Sequence, residues 1–397
     1  MRAGFVTAGN LQVMMFDVAV VGSGPGGATA ALELARQGLK VVLLEKERLP
    51  RYKTCGGGLV ERGLALLPRE VGDVVERRYA SSELHLLDAD LRFTARRDHP
   101  VVSLAMRDRL DFLLASRAAA AGAELRAPCR VTGVSLERHQ VRLDTDDGDP
   151  VTAELVIAAD GAMSDVARLA GWIDGRHLIP ALEHEIQVDD ATFERCARAP
   201  RFDVGIVPHG YAWVFPKAAH LSVGVLSMRR GAGHLHRDLE QYLKALDIVP
   251  RAVERHGFVI PVRPRAEGFA RHRVLLVGDA AGFADPVTAE GISLAARSGR
   301  LAAAAIVQAG LDEARVRAGY RAGLRPLLAD LRVARGLARL LYDHPRARRW
   351  LFRRVGQRLV DAMTDVFLGV RTYRGSLAEL AAALALRPFA RAASTRS

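Results

Sequence analysis

Apolar residues along this chain fall into three kinds of pattern. Short unbroken runs come first: Val18–Val21, Val41–Leu44, the "LVIAA" of "ELVIAADG" and the "VLLVG" of "HRVLLVGD". A strand covered on both faces reads this way, so these runs predict the buried strands of a parallel sheet. Strict alternation appears in "GYAWVFPK", residues 210–217, where Tyr211, Trp213 and Phe215 would share one strand face. It lies between "DVGIVPH" and "LSVGVLS", which predicts a hairpin. From about residue 315 the apolar positions take helical spacing with Arg between them, which predicts packed helices.

The first run opens a motif. "FDVAVVGSGPGGATAALELARQGLKVVLLEKE" places Gly22, Ser23, Gly24, Gly26 and Gly27 directly after a strand. A helix follows with Ala30, Ala31, Leu34 and Ala35 on one face, Gly38 stops it, and a second strand ends at Glu45 and Lys46. Each glycine has a task. Gly22 permits a tight turn, Gly24 lets a pyrophosphate approach the backbone, and Gly27 brings the helix close to the strand. The helix N-terminus offers unpaired N–H groups to phosphate, and Glu45 can accept hydrogen bonds from ribose hydroxyls. The pattern predicts a bound dinucleotide, and its place near the N-terminus favours FAD over NAD.

Two later segments support a flavin. In "HRVLLVGDAAGFADPVTAEGISLAARSGRLAA" a strand leads to Asp279 and a small-residue turn, with a helix starting near Gly291 and Ile292. A carboxylate and small residues suit a ribityl chain, and a helix N-terminus suits the flavin's electron-rich edge. "ELVIAADGAMSD" ends its strand at Asp160 and Gly161. Alone it reads equally as a strand-to-helix turn.

The totals narrow the class. The 397 residues are 49% hydrophobic, enough for more than one domain. Three cysteines, Cys55, Cys129 and Cys196, are widely spaced. Neither a disulfide framework nor a metal site is expected, and a reducing, cytoplasmic compartment is. No secretory signal and no membrane span are expected. Net charge is +12, carried almost wholly by Arg, since only five residues are Lys. Codon bias explains that as well as a polyanionic partner does, and no basic-aromatic pattern points to nucleic acid. The Arg-rich helices after residue 315 could rest on anionic lipid, a peripheral membrane contact. "RPFARAASTRS" at the end is expected to be disordered.

Together these motifs resemble the flavoprotein family that includes para-hydroxybenzoate hydroxylase and the geranylgeranyl reductases, over residues 15 to about 310. The resemblance implies an α/β fold: a Rossmann-type FAD-binding domain with an inserted, mostly antiparallel β substrate domain and a helical C-terminal region. The expected boundaries are 14–78, 101–176 and 262–315 for FAD, 79–100 and 177–261 for substrate, and 316–397 for the helices and tail. It also implies that Arg107, in "MRDRLDFLL", is the flavin-proximal arginine and that Val131 uses its backbone to hold adenine.

"YKTCGGGL", residues 52–59, resembles the reductase branch, whose members carry a cysteine followed by glycines beside the flavin. Gly56 and Gly58 would let the backbone lie flat against the isoalloxazine. Cys55 would stand within reach of the ring, its thiol kept protonated by an apolar setting. The Y-x-W-x-F-P of Tyr211, Trp213, Phe215 and Pro216 resembles that branch's substrate wall, and apolar aromatics suit a prenyl chain. The implied activity is reduction of isolated C=C bonds in a geranylgeranyl-type chain of a lipid, chlorophyll precursor or quinone. An isolated alkene accepts hydride poorly, so a proton donor, with Cys55 the candidate, must face the hydride donor in a dry site. NADPH or ferredoxin would supply electrons. A flavin monooxygenase or halogenase, or a non-catalytic flavin carrier, are the alternatives.

Overall fold

The computed structural model describes residues 15–173, 177–231 and 233–376, so the expected disordered tail lies outside the described residues. Two large sheets and a helical layer make up the fold. The first sheet has its strands in the order Ala270–Arg271, Val274–Leu276, Val151–Ala158, Met15–Val21, Val41–Leu44 and Glu124–Arg126. The central four pairings run parallel, and Val131–Leu136 and Val141–Thr145 extend the sheet antiparallel from Val151–Ala158. The runs read as buried strands are buried: all four residues of Val41–Leu44 and all three of Val274–Leu276.

Helix Pro25–Arg36 packs on this sheet beside helix Ile292–Ala309, and small residues set the spacing. A Cβ at Gly26 would lie 3.1 Å from the Ala295 carbonyl oxygen, and one at Gly299 would strike the Gly26 carbonyl. The close crossing brings both helix N-termini to the same end of the sheet.

The second sheet has seven strands, ordered Ala252–Pro261, Leu178–Gln187, Leu221–Ser227, Gly210–Pro216, Arg201–Val204, Ser81–Leu86 and Leu91–Arg96. All neighbours are antiparallel except Arg201–Val204 with Ser81–Leu86. Its outer face, with Ala212, Val214, Val223 and Val225, is covered by helix Leu235–Ala245 through Leu235, Leu239 and Tyr242. Its inner face turns toward the first sheet. A small three-stranded sheet, Gly58–Val60, Val102–Ala105 and Val75–Tyr79, carries the loop 51–57 into the gap between them.

Helices Glu313–Asp343 and Pro345–Leu368 close the far side. Gly356 makes room there for the ring of Phe93, where a Cβ would collide. No helix among the described residues is long and apolar enough to cross a membrane. The fold is thus the expected one, a Rossmann-type α/β domain with a mostly antiparallel sheet and C-terminal helices.

Candidate active site

A cavity of about 640 Å³ lies where the parallel strands end, bounded by loop 51–58 and the inner face of the seven-stranded sheet. Ligands in open α/β sheets bind outside the carboxyl ends of the strands, and this cavity is placed there. Of the residues singled out in the sequence, Gly22, Gly24, Gly26, Glu45, Lys46, Cys55, Gly56, Gly58, Arg107, Val131, Asp160, Gly161, Tyr211, Trp213, Phe215, Asp279, Gly291 and Ile292 all line it. Ser23, Gly27 and Pro216 do not.

One end of the cavity is made of backbone. Gly22 has φ +100°, and a Cβ there would collide with the Ala159 carbonyl oxygen. A Cβ at Gly27 would collide with the carbonyl of Gly22, so Gly27 acts from behind the wall. Gly24 is open, with only an Arg107 Nη2 at 3.9 Å from where its Cβ would stand. Neither helix that begins here, at Pro25 or Ile292, has a side-chain cap at its N-cap glycine. In the second helix Glu290 Oε1 accepts from Ser293 N at 2.6 Å, so the end at Pro25 is the one left open to a pyrophosphate.

Side chains brace this end. Ser23 donates from its N at 3.1 Å and its Oγ at 2.6 Å to Glu45 Oε2. Arg51 donates to Glu45 at 3.1 Å and to Asp111 at 3.0 Å. Arg107 forks onto the same Asp111 with bonds of 2.9 and 2.8 Å. Burial alone would raise Glu45, but Arg51 and Ser23 outweigh it and hold the carboxyl below its ordinary value. Asp160 reaches the wall, yet its oxygens accept from Ser164 Oγ at 2.6 Å and Val166 N at 3.0 Å. It caps the next helix, so the strand-to-helix reading also holds for it. Asp279 is pushed up by burial, with Lys53 and Arg107 opposing. Cys129, which has no motif around it, stands in the wall beside Arg130 and Val131.

The other end is made of side chains. Phe202, Tyr211, Trp213 and Phe215 form a wall with ring centres 5.2 to 6.3 Å apart. The Tyr211 hydroxyl donates to the Thr288 carbonyl. Trp213 fits because Gly224 faces it, where any Cβ would strike the indole. Trp213 Nε1 is buried without a hydrogen-bond partner.

Loop 51–57 lies between the two ends, and here the glycines do more than expected. A Cβ at Gly56 would sit 2.9 Å from the Phe215 ring and 3.0 Å from Trp213 Nε1. Gly57 has φ +65°, and its Cβ would collide with the Ala105 carbonyl oxygen. The run of glycines is thus demanded by the protein's own packing, on the side away from any ligand. Cys55 is half-buried, and its Sγ accepts from Gly57 N at 3.4 Å. The setting of this thiol is mixed: it packs against the apolar cluster of Leu59, Leu67 and Leu110, and the Arg107 and Lys53 charges stand near it.

Four residues here escaped the sequence reading: Arg51, Lys53, Lys217 and Glu183. Lys53 lies over the Phe258 ring at 3.8 Å, and burial with Arg107 lowers its pKa. Lys217 is fully buried and donates to Gly56 O at 2.7 Å and Ala105 O at 3.1 Å. A signal existed. In a chain this rich in Arg, a retained Lys marks a place needing a compact ammonium and not a planar fork.

This donor set fits FAD: a glycine turn, an uncapped helix end at Pro25, a carboxylate placed for a ribose and a flat backbone loop beside aromatics. The FAD binding domain family matches residues 15–315. The digeranylgeranylglycerophospholipid reductase of Methanocella arvoryzae is 30% identical over 79% of this chain and 83% of that protein. The menaquinone reductase of Mycolicibacterium smegmatis is 30% identical over 82% of this chain and 84% of that one. A geranylgeranyl bacteriochlorophyll reductase-like structure from Thermoplasma acidophilum superposes with a TM-score of 0.77 at 24% identity, covering 93% of this chain and 99% of that one, and shows the same fold. The site and these matches define an FAD-dependent oxidoreductase. The chain belongs to the geranylgeranyl reductase family within the FAD binding domain proteins.

Proposed function

We propose that this enzyme reduces isolated C=C bonds in a prenyl chain of the geranylgeranyl type, carried by a lipid, a chlorophyll precursor or a quinone. One observation carries the reading: the Cys55 glycine loop packs on an aromatic wall, the two together line one cavity, and a second apolar cavity of about 480 Å³ adjoins it. Phe202, Tyr211, Thr288 and Phe367 line both. The combined space is long and apolar, which suits an acyclic hydrocarbon that offers area and few hydrogen bonds. Two relatives named for acting on prenylated molecules, a phospholipid and a quinone, support the choice.

When bound, reduced FAD supplies a hydride equivalent. The chain's residues do the rest. Gly22, Gly24 and the helix end at Pro25 would hold the pyrophosphate, and Glu45 would accept from the ribose. Trp213, Phe215 and Phe202 exclude water and orient the alkene. Cys55 presents S–H at the wall and gives up the proton, with Arg107 beside the sulfur to stabilise the thiolate left behind. NADPH or ferredoxin recharges the cofactor.

The test is mass spectrometry of prenyl lipids after incubation with chemically reduced holoenzyme. A gain of two hydrogens per double bond is expected. Cys55→Ala should retain FAD yet slow that gain on the order of 10²-fold, as removal of a general acid does. Substrate-coupled oxygen consumption without mass gain would overturn the reading in favour of a monooxygenase or halogenase.

A further inference from the structure

The inner face of the seven-stranded sheet is divided. Strand pairing puts Ala181, Glu183 and Glu185 on it, opposite Phe258, His256 and Glu254 on one neighbour and Leu226, Gly224 and Ser222 on the other. Ala181, Phe258 and Leu226 join the cavity wall with the aromatics. Glu183 and Glu185 break the pattern: they are 1% and 8% exposed. Burying two carboxyls side by side is costly unless something specific offsets it.

The offsetting groups form a row that runs outward. Glu183 lines the cavity, and its Oε1 accepts from Ser222 Oγ at 2.9 Å. Glu185 is next on the same face, two residues along the strand, close enough that each carboxyl perturbs the other's titration. His220 Nε2 lies 3.0 Å from Glu185 Oε2, a contact whose angle leaves both atoms without a hydrogen bond, so the imidazole must turn before a proton passes; the His220 side chain is 23% exposed. Lys217 acts on both carboxyls, but its ammonium hydrogen-bonds two carbonyls, of Gly56 and Ala105, and can pass no proton inward. Glu183 and Cys55 line the same cavity, so the row opens into the space that the thiol faces.

We propose that His220, Glu185 and Glu183 form a proton relay from the rim of the seven-stranded sheet into the cavity, with Glu183 as its inner end. The inference rests on the reductase reading, because each saturated double bond consumes one proton along with the hydride equivalent. After Cys55 has given its proton to carbon, the Glu183 O–H gives its own to the thiolate and the S–H bond re-forms. His220 then passes a proton to the Glu185 carboxylate, which hands it on to the Glu183 carboxylate, and His220 takes its replacement from solvent. No electrons move along the row.

The titration of the row is consistent with this order. Burial and the Glu185 charge push Glu183 up to about 8, so it holds its proton at neutral pH. Burial alone would raise Glu185 too, but His220 and Lys217 outweigh it and keep it charged. The remaining groups facing the row are Tyr52 and Lys53 from the loop, with His256, stacked on Tyr52 at 4.0 Å, and Glu254 from the next strand.

The experiment combines infrared titration of the FAD-loaded enzyme with rates of prenyl-lipid reduction. Wild type should show a protonated-carboxyl C=O band at pH 7 that titrates near pH 8 and is missing in Glu183→Gln. Glu183→Gln preserves shape and the acceptor for Ser222, so FAD content and thermal stability at pH 7 should persist. Its turnover should fall at least about tenfold, and the loss of rate expected in wild type above about pH 8 should vanish. Glu185→Gln should keep the band but move its titration, and the alkaline limb, to lower pH, since the charge that raises Glu183 is gone. A row that only neutralises Lys217 would move neither limb. Absence of the band at pH 7, or a wild-type rate and pH profile in Glu183→Gln, overturns the relay. A band that behaves as described in an enzyme that reduces no prenyl lipid supports the buried proton store and overturns only the prenyl reading.

Discussion

The two ends of the cavity are built by different means. At the nucleotide end the backbone does the work: Gly22, Gly24 and two helix N-termini shape the wall, and side chains only brace it. At the sheet end the backbone is a flat carrier, and the side chains of Trp213, Phe215 and Glu183 make the wall, with Lys217 buried behind it. A backbone-made site fixes residue type and spacing together, because only glycine fits. A side-chain-made site fixes just which strand face a residue occupies, so similar sheets can serve different substrates.

This contrast can be broken from either side. The largest effect belongs to Gly27→Val. Its side chain would drive into the Gly22 carbonyl and push the helix from the strand. Flavin absorbance co-eluting with the protein should fall to background. Retained flavin would mean that the turn is not the anchor.

Next comes Lys217→Met, which strips two carbonyls and the buried carboxylates of their cation. Denaturant unfolding should show a loss of about 3 kcal/mol, as for other broken buried ion pairs. FAD should remain bound in the folded fraction, since no phosphate contact is touched.

Trp213→Ala should leave flavin content unchanged and raise KM for a prenyl lipid by about 10- to 100-fold, the worth of one large apolar contact. An equal loss of FAD would erase the division between the two ends.

The smallest effect is on stability against pH. Glu183 is raised from 4.5 to about 8 on folding, so its neutral form stabilises the native state fully below 4.5. That contribution is lost as pH rises through the folded value near 8. Melting temperature should therefore decline across this window in wild type and decline less in Glu183→Gln.

The same contrast explains what the sequence revealed. The parallel sheet was legible because both faces are covered, which leaves unbroken runs such as Val41–Leu44. The nucleotide end was legible because collisions at Gly22 and Gly27 admit no other residue. The aromatic strand was legible by alternation, since all seven residues of Gly210–Pro216 are buried and only one face carries rings toward the cavity. The charged row was not. In "LIPALEHEIQ" the glutamates alternate with Leu182, His184 and Ile186, and such a pattern reads as a solvent-facing edge. Burial of Glu183 depends on partners 34 or more residues away, including Ser222 at a separation of 39. Arg51 was equally hidden: its partner Asp111 is 60 residues on.

The ammonium of Lys217 joins the carbonyls of Gly56 and Ala105, so it rivets the cysteine loop to a strand of the small sheet and to the large sheet at once. Swinging that loop outward like a door would break the shorter of the buried ammonium's two carbonyl bonds. For the proposed prenyl substrate, that leaves the side of Phe367 and Thr288, which line both chambers, as the way in.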